Sequence, residues 1–160
     1  MTLIGEIMGY TFGFGIAFVA PILALAGLAT GVAADASADS SLDVAVSGLR
    51  NKKGNVLVCL TPNSKAFPDC SKDPKALTRN VKATALGSIN FGEIAAGTYA
   101  LSIIHDENAN GKLDTSMAIP KEGFGFSRNP KITFGPPKFK AASFALAGAG
   151  KQTVKMKYMF

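Results

Sequence analysis

With His105 as its only histidine, this chain cannot assemble a multi-histidine zinc centre by itself. Its two cysteines, Cys59 and Cys70, fit neither a CxxC redox pair nor a zinc knuckle, so thioredoxin-type and metal–thiolate chemistry are excluded. No segment carries a convincing amphipathic-helix period, which argues against helical bundles. No serine sits in a nucleophile elbow. The charge balance is basic, with 17 Lys and Arg against 11 Asp and Glu. The lysines are scattered and form no stripe, so a nucleic-acid partner is not expected. A dispersed positive surface keeps a protein soluble or draws it toward an anionic envelope surface.

What is present begins with an apolar leader. Residues 12–29 are apolar apart from glycines and Pro21, and Val32-Ala33-Ala34 places small residues at −3 and −1 of a cleavage site. Residues 1–34 therefore read as a secretory signal peptide, cut after Ala34 or after Ala38. Residues 1–15 lack the usual Lys or Arg and carry the acidic Glu6, which keeps an uncleaved anchor open as the alternative. A linker over 35–41 then leads into one domain over 42–160, a size suited to a single core. The implied location is periplasmic or secreted, or membrane-anchored if the leader is retained. No stable membrane insertion of the mature domain is expected. In an oxidising compartment an even pair of cysteines favours a disulfide, Cys59–Cys70, worth roughly 3 kcal/mol by loop closure.

The body alternates short strand-like runs with turns. Residues 42–49 alternate with period two, 51–54 turn, and Val56-Leu57-Val58-Cys59-Leu60 returns as a hairpin partner. A crossing loop over 61–75 carries prolines and is pinned by Cys70. Residues 77–85 and 87–94 read as a further hairpin. Tyr99 to Ile104 is a strand, and 142–147 with 153–160 make the last pair. In the final run Val154, Met156, Tyr158 and Phe160 face one way and the lysines the other. This spacing predicts an all-β fold, an antiparallel seven-stranded Greek-key sandwich of immunoglobulin- or prealbumin-like type. The short strands and Pro-rich breaks do not suit an outer-membrane barrel.

One segment spells out chemistry. In the run from His105 to Asp114, Asp106, Asn108, Asn110 and Asp114 take positions 1, 3, 5 and 9 of a D-x-[DN]-x-[DN]-G calcium loop, and Gly111 takes position 6. The Lys112 carbonyl is available at position 7, so the candidate calcium ligands are Asp106, Asn108, Asn110, Lys112 and Asp114. Position 12 is Met117 where an EF-hand places Glu, and the flanks are not helices; further ligands would come from Glu107, from Glu122 across the loop, or from water. The competing reading has the same side chains capping a tight turn by bonding their own backbone. His105 could serve a Ser–His–Asp hydrolase with Ser102, Ser116 or Ser127, yet a strand-end histidine is more often structural.

The connection over 117–139 is long for a compact domain. Phe124, Phe126, Phe134 and Phe139 either cover the sandwich as a satellite core or line a binding surface, with Gly123, Gly125 and Gly135 letting backbone approach a ligand. The run from Phe91 to Leu101, containing Gly97-Thr98-Tyr99, looks like a hairpin of prealbumin-like and carboxypeptidase-regulatory-like sandwiches. HDENANGKLD from His105, with Ile119-Pro120-Lys121-Glu122-Gly123-Phe124-Gly125-Phe126-Ser127 and then Phe134-Gly135-Pro136-Pro137 with Phe139, resembles a family of exported bacterial proteins known only as a domain of unknown function. That resemblance implies a small exported sandwich and brings no activity with it. The expectation is a non-enzymatic module whose loop, steadied by calcium, organises a surface for an envelope component, protein or glycan. A small hydrolase using His105 and a purely structural envelope accessory are the alternatives.

Overall fold

The computed structural model describes residues 39–160, so the expected signal peptide and most of the linker lie outside the described residues. Among the described residues ten strands, and not the seven expected, run in the order β1 (Asp39–Ser47), β2 (Asn55–Thr61), β3 (Leu77–Lys82), β4 (Ile89–Ala95), β5 (Gly97–Asp106), β6 (Thr115–Ser116), β7 (Ile119–Pro120), β8 (Gly123–Phe126), β9 (Phe144–Leu146) and β10 (Ala149–Lys155). A single short helix, α1 (Phe139–Ala142), precedes β9. β1 begins inside the stretch read as linker. Among the described residues no helix is long and apolar enough to cross a membrane.

The strands form an all-β sandwich. One sheet has the order β10-β1-β4, and the other runs β3-β2-β5-β8 with β9 added on the early part of β5. Period-two alternation explains the core. Leu42 and Val44 of β1 point inward against Val56, Val58 and Leu60 of β2 and Leu101 and Ile103 of β5, all at most 2% exposed. Each such side chain contributes about 1.5–3 kcal/mol by leaving water. β5 is buried along both faces, which accounts for its unbroken apolar run.

Four expectations about pairing are corrected. β1 and β2 do not form a hairpin: β1 pairs with β10 and β4, while β2 pairs with β3 and β5. β3 and β4 lie in different sheets, and β9 pairs with β5, not with β10. The sandwich is not wholly antiparallel, because β1 and β10 run parallel from Ser41↔Ala149 to Ser47↔Lys155. The physical reason is shared: a polar turn closes a hairpin or arches from one layer to the other, and its composition does not say which. The Gly97-Thr98-Tyr99 corner is such an arch. There the Tyr99 hydroxyl donates to the Ala95 carbonyl at 2.9 Å and pins the step between sheets. At the open edge, the Arg79 guanidinium lies 4.7 Å above the Phe91 ring and donates to the Asn90 and Phe91 carbonyls, tying β3 to β4.

The long 117–139 connection is largely structured. Its Gly-Phe-Gly-Phe run is β8, which lacked β-branched residues to announce it. Phe124 and Phe126 are buried in a satellite cluster with Ala100 and Ala142, and Phe67, Ile132 and Phe139 pack against it. Phe67 meets Phe126 and Phe139 edge-on at 5.7 and 5.9 Å. Phe134 departs from this group at 95% exposed. Gly123 and Gly125 serve the chain's own packing and not a ligand. A Cβ at Gly123 would stand 2.5 Å from Tyr158 Cε1, and one at Gly125 2.6 Å from Val154 Cγ1.

Candidate functional site

The outer face of the larger sheet is the floor of a groove of about 700 Å³. Register puts Leu57, Ile104 and Phe124 in one row across β2, β5 and β8, with Cys59, Ser102 and Phe126 in the next. Side chains opposite one another on an antiparallel ladder share a face, so these rows form a continuous, mostly apolar strip. One wall is the β2–β3 connection at Pro68 to Ser71; the other is Gly111-Lys112-Leu113 of the 106–114 loop. The first wall is fastened to the floor by the Cys59–Cys70 disulfide, whose Cα atoms are 6.2 Å apart, and by Ser102 Oγ donating to the Pro68 carbonyl at 2.7 Å. Asp73 secures the far side of the same connection: it accepts from Thr61 Oγ1 and from the Lys75 N–H. Those bonds, the Thr61 hydroxyl foremost, hold the Asp73 carboxyl below its ordinary range.

The second wall is built from its own polar side chains. Asp106 is fully buried, and its carboxylate accepts from the Asn110 N–H at 3.0 Å and the Gly111 N–H at 2.7 Å. Asn108 Oδ1 also accepts from the Asn110 N–H, and Asn110 Oδ1 accepts from the Lys112 N–H. The amide Nδ2 groups of Asn108 and Asn110 converge on one oxygen, Asp114 Oδ2, at 2.7 and 3.0 Å. The Asn110 and Asn108 donors lower the Asp114 pKa from its ordinary value. Gly111 takes φ +83°, the left-handed turn that position 6 requires. Glu122 closes the neck, accepting from the Glu107 and Asp114 N–H groups at 2.9 and 3.0 Å. Among the described residues no group of three or more His, Cys, Asp and Glu side chains is arranged to hold a metal, and no buried side-chain N or O lacks a partner.

At the same end of the sandwich His105 is fully buried. Its Nε2 lies 2.9 Å from the Lys53 carbonyl, which only accepts, so Nε2 carries the proton. Nδ1 then accepts from the Tyr158 hydroxyl at 2.7 Å, and that hydroxyl accepts from the Arg50 N–H. The Arg50 guanidinium stacks 4.7 Å from the Tyr158 ring centre and pairs with Glu107 at 2.7 Å. It also donates to the Phe160 and Lys121 carbonyls. Burial raises the Glu107 pKa, but hydrogen bonds from Asn51 and Arg50 and the Arg50 charge outweigh it and leave it lowered. Burial pushes the Tyr158 hydroxyl up.

Residues 44–155 match the model of a family described as an uncharacterized protein conserved in bacteria, DUF2141. The chain belongs to that family. The match runs from within β1 to the last residue of β10 and so includes both sheets. No curated protein and no solved structure matches the chain.

In this DUF2141 protein the expected loop residues are partly gathered. Asn108, Asn110 and Asp114 meet through side chains, Asp106 joins them through the Asn110 and Gly111 backbone, and Lys112 enters by its N–H. Glu107 turns away to Arg50 and Asn51, and Glu122 bonds the loop backbone. Two of the serines named beside His105 have other partners: Ser102 bonds Pro68, and Ser127 bonds Ala142 and Leu101. Arg50, Tyr158 and the Leu57–Ile104 floor were not singled out from sequence as site residues. The outward alternation of Leu57 and Cys59 in an otherwise apolar β2 was the available signal for the floor.

Proposed function

We propose that this DUF2141 protein is an exported, non-catalytic β-sandwich module that holds an apolar segment of an envelope component, protein or glycan, in the groove over β2, β5 and β8. The groove itself is the observation that supports this reading. It has an apolar floor, one wall cross-linked to that floor, and the 106–114 loop as the other wall. The disulfide and the apolar leader favour export. His105 has both ring nitrogens engaged and no exposure, which leaves a hydrolase reading without a ring nitrogen for a substrate. The direct test uses the fluorescence of 1-anilinonaphthalene-8-sulfonate. Ile104→Asp places a negative charge on the floor and should weaken binding of this anionic dye at least about tenfold, the loss of one apolar side-chain contact. Phe134→Ser, on an exposed tip, should leave it unchanged; equal dye binding by all proteins sinks the proposal.

The 106–114 loop in this reading binds one calcium ion weakly, in the range of about 10⁻⁴–10⁻³ M. The support is the convergence of two Asn amides on Asp114 Oδ2. Rotating those amides would present oxygen in place of N–H₂ at the point where they meet, at the cost of the bonds their oxygens accept from the Asn110 and Lys112 N–H groups, and a divalent cation would then bridge Asn108, Asn110 and Asp114, with Asp106 completing the charge. Such a site draws on amide and main-chain oxygen more than on clustered carboxylates. At ten times the dissociation constant, calcium should stabilise the fold by about 1.4 kcal/mol. Calorimetry and thermal melting with and without millimolar calcium measure it, with Asp114→Asn as the control. Neither heat nor a shift in melting temperature would leave turn bonding as the whole role of these side chains.

A further inference from the structure

The end of the sandwich formed by residues 48–54, 107–122 and 156–160 combines two independent features. The first is apolar. Of the large hydrophobic side chains exposed among the described residues, Met117 (95%), Ile119 (44%), Met159 (47%) and Phe160 (68%) all belong to this end, and only Phe134 does not. The Arg50 guanidinium brings their segments together, since it donates both to the Phe160 carbonyl and to the Lys121 carbonyl at the foot of the β6–β7 hairpin. The hairpin's two-residue turn, Met117-Ala118, takes φ +47° and +64°, a conformation that favours glycine or asparagine. The chain thus holds a methionine at a solvent-facing tip against local preference.

The second is charge, which this end shares with residues 128–155 but here joins to the cluster of apolar tips. The exposed charged side chains of this end are Arg50, Lys52, Lys53, Lys112 and Lys121. Its carboxylates are withdrawn: Glu107 and Asp114 are half-buried, Glu122 and the adjoining Asp106 are buried, and each accepts hydrogen bonds. The exposed carboxylates among the described residues, Asp39, Asp43, Asp69 and Glu93, lie on β1, β4 and the β2–β3 connection. Protruding apolar side chains ringed by cations, with no exposed side-chain carboxylate among them, complement the headgroup layer of an anionic bilayer, into which the apolar tips dip while the lysines stay at the phosphate level.

We propose that this end docks peripherally on anionic phospholipid, through Met117, Ile119, Met159 and Phe160 with Lys52, Lys53 and Lys121 around them. The contact does not depend on calcium, and it would leave the groove on the sheet face open to a ligand.

The test is co-sedimentation of the full chain with vesicles of phosphatidylcholine alone or mixed with phosphatidylglycerol, in EDTA, at low and high salt. Whatever residues 1–38 contribute is common to every variant, so the readout is the affinity ratio to the parent chain. Met117→Ser with Ile119→Ser should reduce affinity for phosphatidylglycerol vesicles about tenfold or more. Lys52→Ala with Lys53→Ala should reduce it about fivefold per lysine, an effect that shrinks at high salt. Phe134→Ser should bind as the parent does. Equal affinity of the parent and both double variants overturns the proposal. So does a patch that drives self-association, seen as a concentration-dependent dimer that Met117→Ser abolishes while vesicle binding persists. Circular dichroism and melting of each variant confirm that a lost affinity is not a lost fold.

Discussion

Gly54 is the residue on which the groove-facing loop and the His105 cluster both lean. It takes φ +64°, and a Cβ there would overlap the Asp106 carbonyl oxygen and stand 2.7 Å from the Glu107 carbonyl carbon. The obstacle is backbone, which cannot swing aside as a side chain would. Gly54→Ala should therefore destabilise the protein by about 2–4 kcal/mol, combining left-handed strain with overpacking. Urea denaturation measures it, and a change under about 1 kcal/mol would show that the turn opens freely. Neighbouring Lys53 offers its carbonyl to His105, so the same substitution should disturb the Tyr158–His105 pair. Asp106 shows the complementary economy: one buried carboxylate satisfies two backbone donors that a turn this tight would otherwise leave pointing inward.

Among the elements, strands were legible where apolar alternation was strong. β2 and β5 stand where Val56-Leu57-Val58 and Leu101 to Ile104 announce them, whereas the strand expected over 153–160 is β10 at Ala149–Lys155, and Phe160 is exposed and does not share the inward face of Val154. Their neighbours were not legible, because partner choice depends on which residues lie across a layer far away in sequence. Val44, for example, pairs with Gln152 on one side and Ile89 on the other, and no turn near β1 encodes either. β8 escaped notice for a different reason. Its glycines lower strand propensity, yet they are required where Tyr158 and Val154 press against the backbone. The acidic loop was readable as a loop that bends at Gly111, while Glu122 as its clasp depends on β8 folding back beside β5. For the β2–β3 connection the prediction is mechanical. Replacing both Cys59 and Cys70 with alanine should cost roughly 3 kcal/mol by loop-entropy reasoning. It should also speed proteolysis within residues 62–76 and weaken dye binding, since that wall loses its tie to the floor. Unchanged cleavage would mean that the Ser102–Pro68 and Thr61–Asp73 bonds suffice alone.

For the molecule as a whole, the ionisation pattern sets the response to acid. Asp73, Glu107 and Asp114 each have a folded-state pKa below the ordinary values of 3.8, 4.5 and 3.8. Above those ordinary values, folded and unfolded chains are both ionised and the hydrogen bonds contribute in full. As the pH drops toward the lowered folded values the unfolded chain takes up protons first, and stability is lost. Melting temperature should be level from pH 7 to about pH 5 and fall steadily below it; a melting temperature unchanged down to pH 3 would contradict these assignments. The parallel seam between β1 and β10 has a consequence for biogenesis. β1 is the middle strand of its sheet and the first of the described strands, yet one of its two neighbours, β10, is the last of them. A chain emerging from its N-terminal end must keep one edge of that middle strand unpaired until β10 arrives, so the β10-β1-β4 sheet is completed late.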